Sequence, residues 1–142
     1  VGASGYLSTS VSANNATITK MILNNENFDT DSILDTSTNQ GRFTVPSGKG
    51  GKWLLNAAVL FQGATVNTTV WVYAYKNGSN LRYNKAAQGI ANQGEIVAQL
   101  NQVFNLVAGD YIEVYVQQNS GNTLSFYVPN AEAGIQFSYL GG

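Results

Sequence analysis

The sequence predicts an all-β, two-sheet antiparallel sandwich, on three observations. First, Tyr111-Ile112-Glu113-Val114-Tyr115-Val116-Gln117 alternates strictly, with Ile112, Val114 and Val116 on one face and polar or aromatic side chains on the other, as in a half-buried strand. Second, turn-forming residues recur at short intervals, at Asn14-Asn15, Asn39-Gln40-Gly41, Pro46-Ser47-Gly48, Asn77-Gly78, Gly109-Asp110 and Ser120-Gly121-Asn122. Third, no helical period persists. Strands so spaced close into either a jelly roll or an immunoglobulin-like sandwich.

In chain order the predicted strands are 5–9, 16–24, 31–36, 42–45, 52–62, 68–76, 80–87, 96–106, 110–118, 124–128 and 133–140. Of the first four, 5–9, 31–36 and 42–45 are short, and the breaks between the four each contain Asn. Segment 52–62 carries Trp53, Leu55, Ala57, Val59 and Phe61 on one face and Leu54, Asn56, Ala58 and Leu60 on the other, so both faces are largely apolar. Segment 68–76 alternates Val70, Val72 and Ala74 with Trp71, Tyr73 and Tyr75. Asn77-Gly78 then predicts a type I′ hairpin turn, because both residues adopt positive φ at low cost. Segments 96–106 and 110–118 are expected to be joined by a short reversal at Ala108-Gly109-Asp110, and the last two strands follow Ser120-Gly121-Asn122.

With 142 residues and 44% hydrophobic content, the chain fits one domain, 1–142, that buries a core without disulfides. Only 11% of residues are charged and the formal net charge is −1, which argues against a nucleic-acid or anionic-membrane partner. Cysteine and histidine are absent. Thiol and most zinc chemistry is thereby excluded, together with the commonest general base and the one side chain that ordinarily titrates near neutrality. No apolar run is long enough to span a bilayer, so membrane insertion is not expected. The chain opens at Val1-Gly2-Ala3-Ser4-Gly5 without methionine, and its expected origin is a longer polypeptide.

Candidate site residues follow from the same pattern. Trp71, Tyr73 and Tyr75, with Trp53 and Tyr115, are candidate ligand or subunit contacts, since Trp and Tyr offer rigid apolar area with a polar tip. The alternative is an aromatic ladder covered by neighbouring loops. Asp29, Asp31 and Asp35 form the one acidic cluster and are candidate calcium ligands, although the spacing lacks the Gly and terminal Glu of an EF-hand; otherwise they cap turns and no cofactor is needed. No nucleophile motif or apolar-pocketed acid pair is present, so no catalytic residue is expected. Asn-x-Ser/Thr sequons lie at Asn15, Asn67 and Asn77.

The order Phe28, Gly41-Arg42-Phe43-Thr44-Val45-Pro46, Gly51-Lys52-Trp53-Leu54-Leu55, Lys76-Asn77-Gly78, Leu106-Val107-Ala108-Gly109-Asp110-Tyr111-Ile112, Ser120-Gly121 and Phe137-Ser138-Tyr139-Leu140 resembles the globular head domain of complement C1q and its tumour-necrosis-factor-like relatives. The likeness covers nearly the whole chain. It implies a ten-stranded jelly roll assembling as a homotrimer, with 52–62, 96–106 and 135–140 in the inner sheet near the threefold axis. Trp53 and Leu55 stand where the family usually has a tyrosine and an aromatic, and the 142 residues contain no collagen-like Gly-X-Y segment. Amide-rich, cysteine-free versions look more like heads of bacteriophage fibres and bacterial surface proteins.

The expected function is accordingly a non-enzymatic trimeric head of a fibre or surface protein, extracellular or on a virion surface, giving trimerisation and recognition of a cell-surface protein or glycan. The alternative is a carbohydrate-binding module or a capsid decoration domain without a receptor.

Overall fold

The computed structural model describes residues 1–88, 94–128 and 134–142. Among these, every regular element is a strand: β1 (Gly2–Tyr6), β2 (Val11–Ala13), β3 (Thr19–Lys20), β4 (Asn25–Asp29), β5 (Leu34–Asp35), β6 (Arg42–Thr44), β7 (Gly51–Ala64), β8 (Thr68–Lys76), β9 (Ser79–Gln88), β10 (Gly94–Leu106), β11 (Tyr111–Gln118), β12 (Leu124–Tyr127) and β13 (Ile135–Gly141). Ala133, the expected start of the last strand, lies outside the described residues.

The strands form two antiparallel sheets. In the first, β7 is the spine: β10 runs along one edge, while β13 and β12 share the other, flanked by β1 and β4 on one side and β2 on the other. The second is ordered β5-β6-β11-β8-β9, with β3 on the stretch of β11 that β6 leaves open. Strands β7, β10, β12 and β13 lie in the first sheet and β8, β9 and β11 in the second, so the chain repeatedly crosses the sandwich as a jelly roll does.

Alternation puts the core between the sheets. Trp53, Leu55, Ala57, Val59 and Phe61 of β7 are buried against Val70, Val72 and Ala74 of β8 and Ile112, Val114 and Val116 of β11. Trp53 stacks on Phe137 with centroids 4.6 Å apart, and Phe43 lies tilted against Phe137 at 5.6 Å. Each such aromatic contact contributes about 0.5–1.5 kcal/mol beyond area burial.

Several local expectations differ from the structure: the first strand is Gly2–Tyr6 rather than 5–9, and Val11–Ala13 and Asn25–Asp29 are strands where none was expected. Segment 16–24 is a strand only at Thr19–Lys20, because β6 already takes the neighbouring part of the β11 edge. Segment 31–36 is mostly turn: Asp29 draws the Ile33 and Leu34 N–H groups onto its carboxylate at 2.8 Å each, and Ser32 has φ 54°. The reversal after β10 forms as expected, with Asp110 N–H donating to the Val107 carbonyl, but it carries the chain from one sheet to the other, so β10 and β11 do not pair.

Candidate functional site

Two outward faces remain once the core is closed. On the second sheet, register sets Trp71 opposite Gln117, Tyr73 opposite Tyr115 and Tyr75 opposite Glu113. The outward residues of β8 and β11 therefore form one aromatic and amide surface, half-buried in the single chain. Tyr75 and Tyr115 stack diagonally at 4.2 Å, and the Tyr73 hydroxyl donates to Gln117 Oε1 at 2.7 Å. Beside them Glu113, almost wholly buried, accepts from Lys20 Nζ at 2.5 Å and Arg42 Nε at 3.3 Å, while the Arg42 guanidinium lies 4.0 Å from the Tyr111 ring centre. Burial, and then the Glu113 charge, raise the Tyr115 hydroxyl above its ordinary value. This surface offers flat apolar rings and fixed hydrogen-bonding tips, and no group prepared for nucleophilic attack.

Trp53 is placed elsewhere. It is fully buried, stacked on Phe137, with its indole N–H donating to the Lys49 carbonyl at 2.9 Å. Its candidacy as a surface contact is thus corrected: inward alternation on β7 makes it core. Trp71, Tyr73, Tyr75 and Tyr115 are brought together on one face.

The aspartates are held by backbone. Asp29 accepts from the N–H groups of Asp31, Ile33 and Leu34, and Asp35 from those of Ser37, Thr38 and Asn39. The Ser37 N–H, followed by that of Asn39, lowers the Asp35 carboxyl from 3.8 to about 2. Among the described residues no group of acidic side chains converges as a metal site.

The first sheet has the other outward face, and its polar pattern escaped the sequence reading. Cross-strand rows run Ser138–Leu54–Val103, then Gln136–Asn56–Asn101, then Ala58–Gln99, then Tyr127–Leu60–Val97. Val97, Val103 and Leu140 are 43%, 45% and 54% exposed. Among the described residues of β7, β10, β12 and β13, charge stands toward the ends, at Lys52 and Glu95, with Glu95 accepting from Gln62 and Tyr127. A recess of about 230 Å³ opens over the amide row, bounded by Asn56, Ala58, Gln99, Asn101, Gly134 and Gln136. The signal was present in the odd residues of β10, but their partners became known only with the register.

No helix among the described residues is long and apolar enough to cross a membrane. No family model matches the sequence. No curated protein matches it. Solved structures do match. The globular domain of zebrafish complement 1qA superposes with TM-score 0.61 at 11% identity, over 98% of this chain and 96% of that one. Eiger TNF from S. frugiperda gives TM-score 0.61 at 12% identity, over 96% and 87% of the two chains. Murine APRIL gives 0.52 at 18% identity, over 89% and 98%. Together with the strand order, these likenesses show that the chain has the jelly-roll fold of C1q and tumour-necrosis-factor globular domains.

Proposed function

We propose that this chain is a non-enzymatic head domain of a fibre or surface protein, acting outside cells or on a virion as a homotrimer. The observation that carries the reading is the outward face of the first sheet. Among the described residues its centre combines exposed Val97 and Val103 with neutral amides and no charge. Amides both donate and accept, so such a face can pair with copies of itself, where a face of one charge sign would repel its copy. The fold likeness and the resemblance to C1q-type heads support the same assembly.

Val103→Asp tests it. Val103 is 45% exposed, so the substitution leaves the core intact while placing charge in the interface. The wild-type chain is expected to sediment as a trimer at micromolar concentration and the variant as a monomer with unchanged circular dichroism. A monomeric wild type, or a variant that stays trimeric, overturns the reading.

Recognition is assigned to the second sheet, where Trp71, Tyr73, Tyr75 and Tyr115 offer ring faces suited to the C–H surfaces of a sugar or to an apolar protein patch. On a glycan array and on host cells the trimer is expected to bind, and Trp71→Ala to lose binding without change in trimer mass. A trimer that binds neither marks a decoration domain instead.

A further inference from the structure

Asn77 is the one asparagine of the 142 residues that is followed by glycine. Such a pair reacts readily with itself, because no Cβ beside the glycine nitrogen obstructs its attack on the asparagine side-chain carbonyl carbon. Asn77 and Gly78 form the exposed β8–β9 turn, with φ 49° and 83°. The amide is held at both ends by a different connection of the chain. Its Nδ2 donates to Asp110 Oδ1 at 2.8 Å, and its Oδ1 accepts the Tyr111 N–H at 2.9 Å. The Asn77 N–H also donates to the Tyr111 carbonyl at 3.0 Å. Ring closure draws Cγ onto the Gly78 nitrogen and turns the flat amide into a tetrahedral centre, so the two side-chain bonds must break first.

We infer that Asn77 is the principal site of deamidation in this chain, restrained in the fold by Asp110 and the Tyr111 N–H, and that its modification frees the β8–β9 turn from the β10–β11 crossover. The Gly78 nitrogen gives its proton to solvent base and bonds to Asn77 Cγ, and Nδ2 leaves as ammonia. Water then opens the succinimide at either carbonyl, leaving an aspartate or an isoaspartate. Either product puts a carboxylate, which only accepts, where Nδ2 donated to Asp110, and the two like charges repel. Isoaspartate also lengthens the backbone of a two-residue turn.

Peptide mass mapping of the chain held at neutral pH provides the test. In urea, Asn77 is expected to convert before every other asparagine. In the folded wild type it is expected to convert at least about tenfold more slowly, the effect of losing two hydrogen bonds before closure. Asp110→Ala, with its fold checked by circular dichroism, is expected to speed conversion. Lys76→Gln is the control: it removes the Lys76 contact with Asp110, at 2.9 Å, but keeps that of Asn77, so the wild-type rate is expected. Equal rates in the folded and urea-unfolded wild type overturn the inference, as does another asparagine converting first in urea. A folded Asp110→Ala no faster than the wild type, or a Lys76→Gln as fast as Asp110→Ala, also overturns it. Asn77→Asp, which installs the product, is expected to melt below the wild type at neutral pH; an unchanged melting temperature overturns the freed turn. Should Asp110→Ala not fold, the wild-type rates and Asn77→Asp still decide.

Discussion

At the scale of single residues, Gly41 shows how one position constrains a loop. Its φ is +83°, its N–H donates to the Asp35 carbonyl at 2.9 Å, and a Cβ there would lie 2.0 Å from the Met21 carbonyl oxygen. Neither the conformation nor the space admits a side chain. Gly41→Ala is expected to cost about 3 kcal/mol, read as a lower urea midpoint at unchanged slope. Gly109→Ala is the control, because φ is +88° there but nothing lies within 4 Å, and about 1 kcal/mol is expected from conformation alone. Equal losses in both variants would refute the contact argument. The break Asn39-Gln40-Gly41 was legible in the sequence. Its long-range reason was not, because Met21 stands far away along the chain.

At the scale of elements, Asp110 ties two connections together. It accepts from the Val107 N–H at 3.0 Å, from Asn77 Nδ2 at 2.8 Å and from Lys76 Nζ at 2.9 Å, while Asn77 Oδ1 accepts the Tyr111 N–H at 2.9 Å. The β8–β9 turn is thereby fastened to the crossover between β10 and β11. The Val107 N–H, then the Asn77 amide, with further help from Lys76, lower the Asp110 carboxyl from 3.8 to about 2. Because the folded value is the lower one, the ionised group stabilises the fold above the unfolded value, and that contribution is lost as pH falls toward the folded value. The wild-type melting temperature should therefore drop more steeply than that of Asp110→Asn between about pH 5 and 2, since the variant lacks this lowered carboxyl. Parallel curves would refute this assignment. With no histidine in the chain, both curves should be nearly flat from about pH 8 to 5.5. The Asn77-Gly78 turn was legible because its positive φ values, 49° and 83°, are a local requirement. The short strands of the first forty residues were poorly legible, because β2 and β3 exist only by pairing with distant edges.

At the scale of the whole molecule, the sandwich leaves two outward faces of different chemistry. The second sheet bears aromatic rings and the buried Glu113 with its two cations; the first bears apolar and amide rows, without charge at its centre among the described residues. The division matches a head that associates through one sheet and presents the other, which is why the variants at Val103 and Trp71 are expected to separate assembly from recognition.

The sequence by itself determined the all-β class, the long strands β7, β8, β10 and β11, the turns at Asn77-Gly78 and Gly109-Asp110, and the inward faces of β8 and β11. Each follows from period-two alternation or from φ requirements that neighbouring residues express. Only the tertiary structure decided that Trp53 is core while Trp71 is surface, that Lys20 and Arg42 meet on Glu113, and that Asn56, Asn101 and Gln136 form one row. These are facts of register and sheet order, and residues far apart along the chain become neighbours only when strands pair.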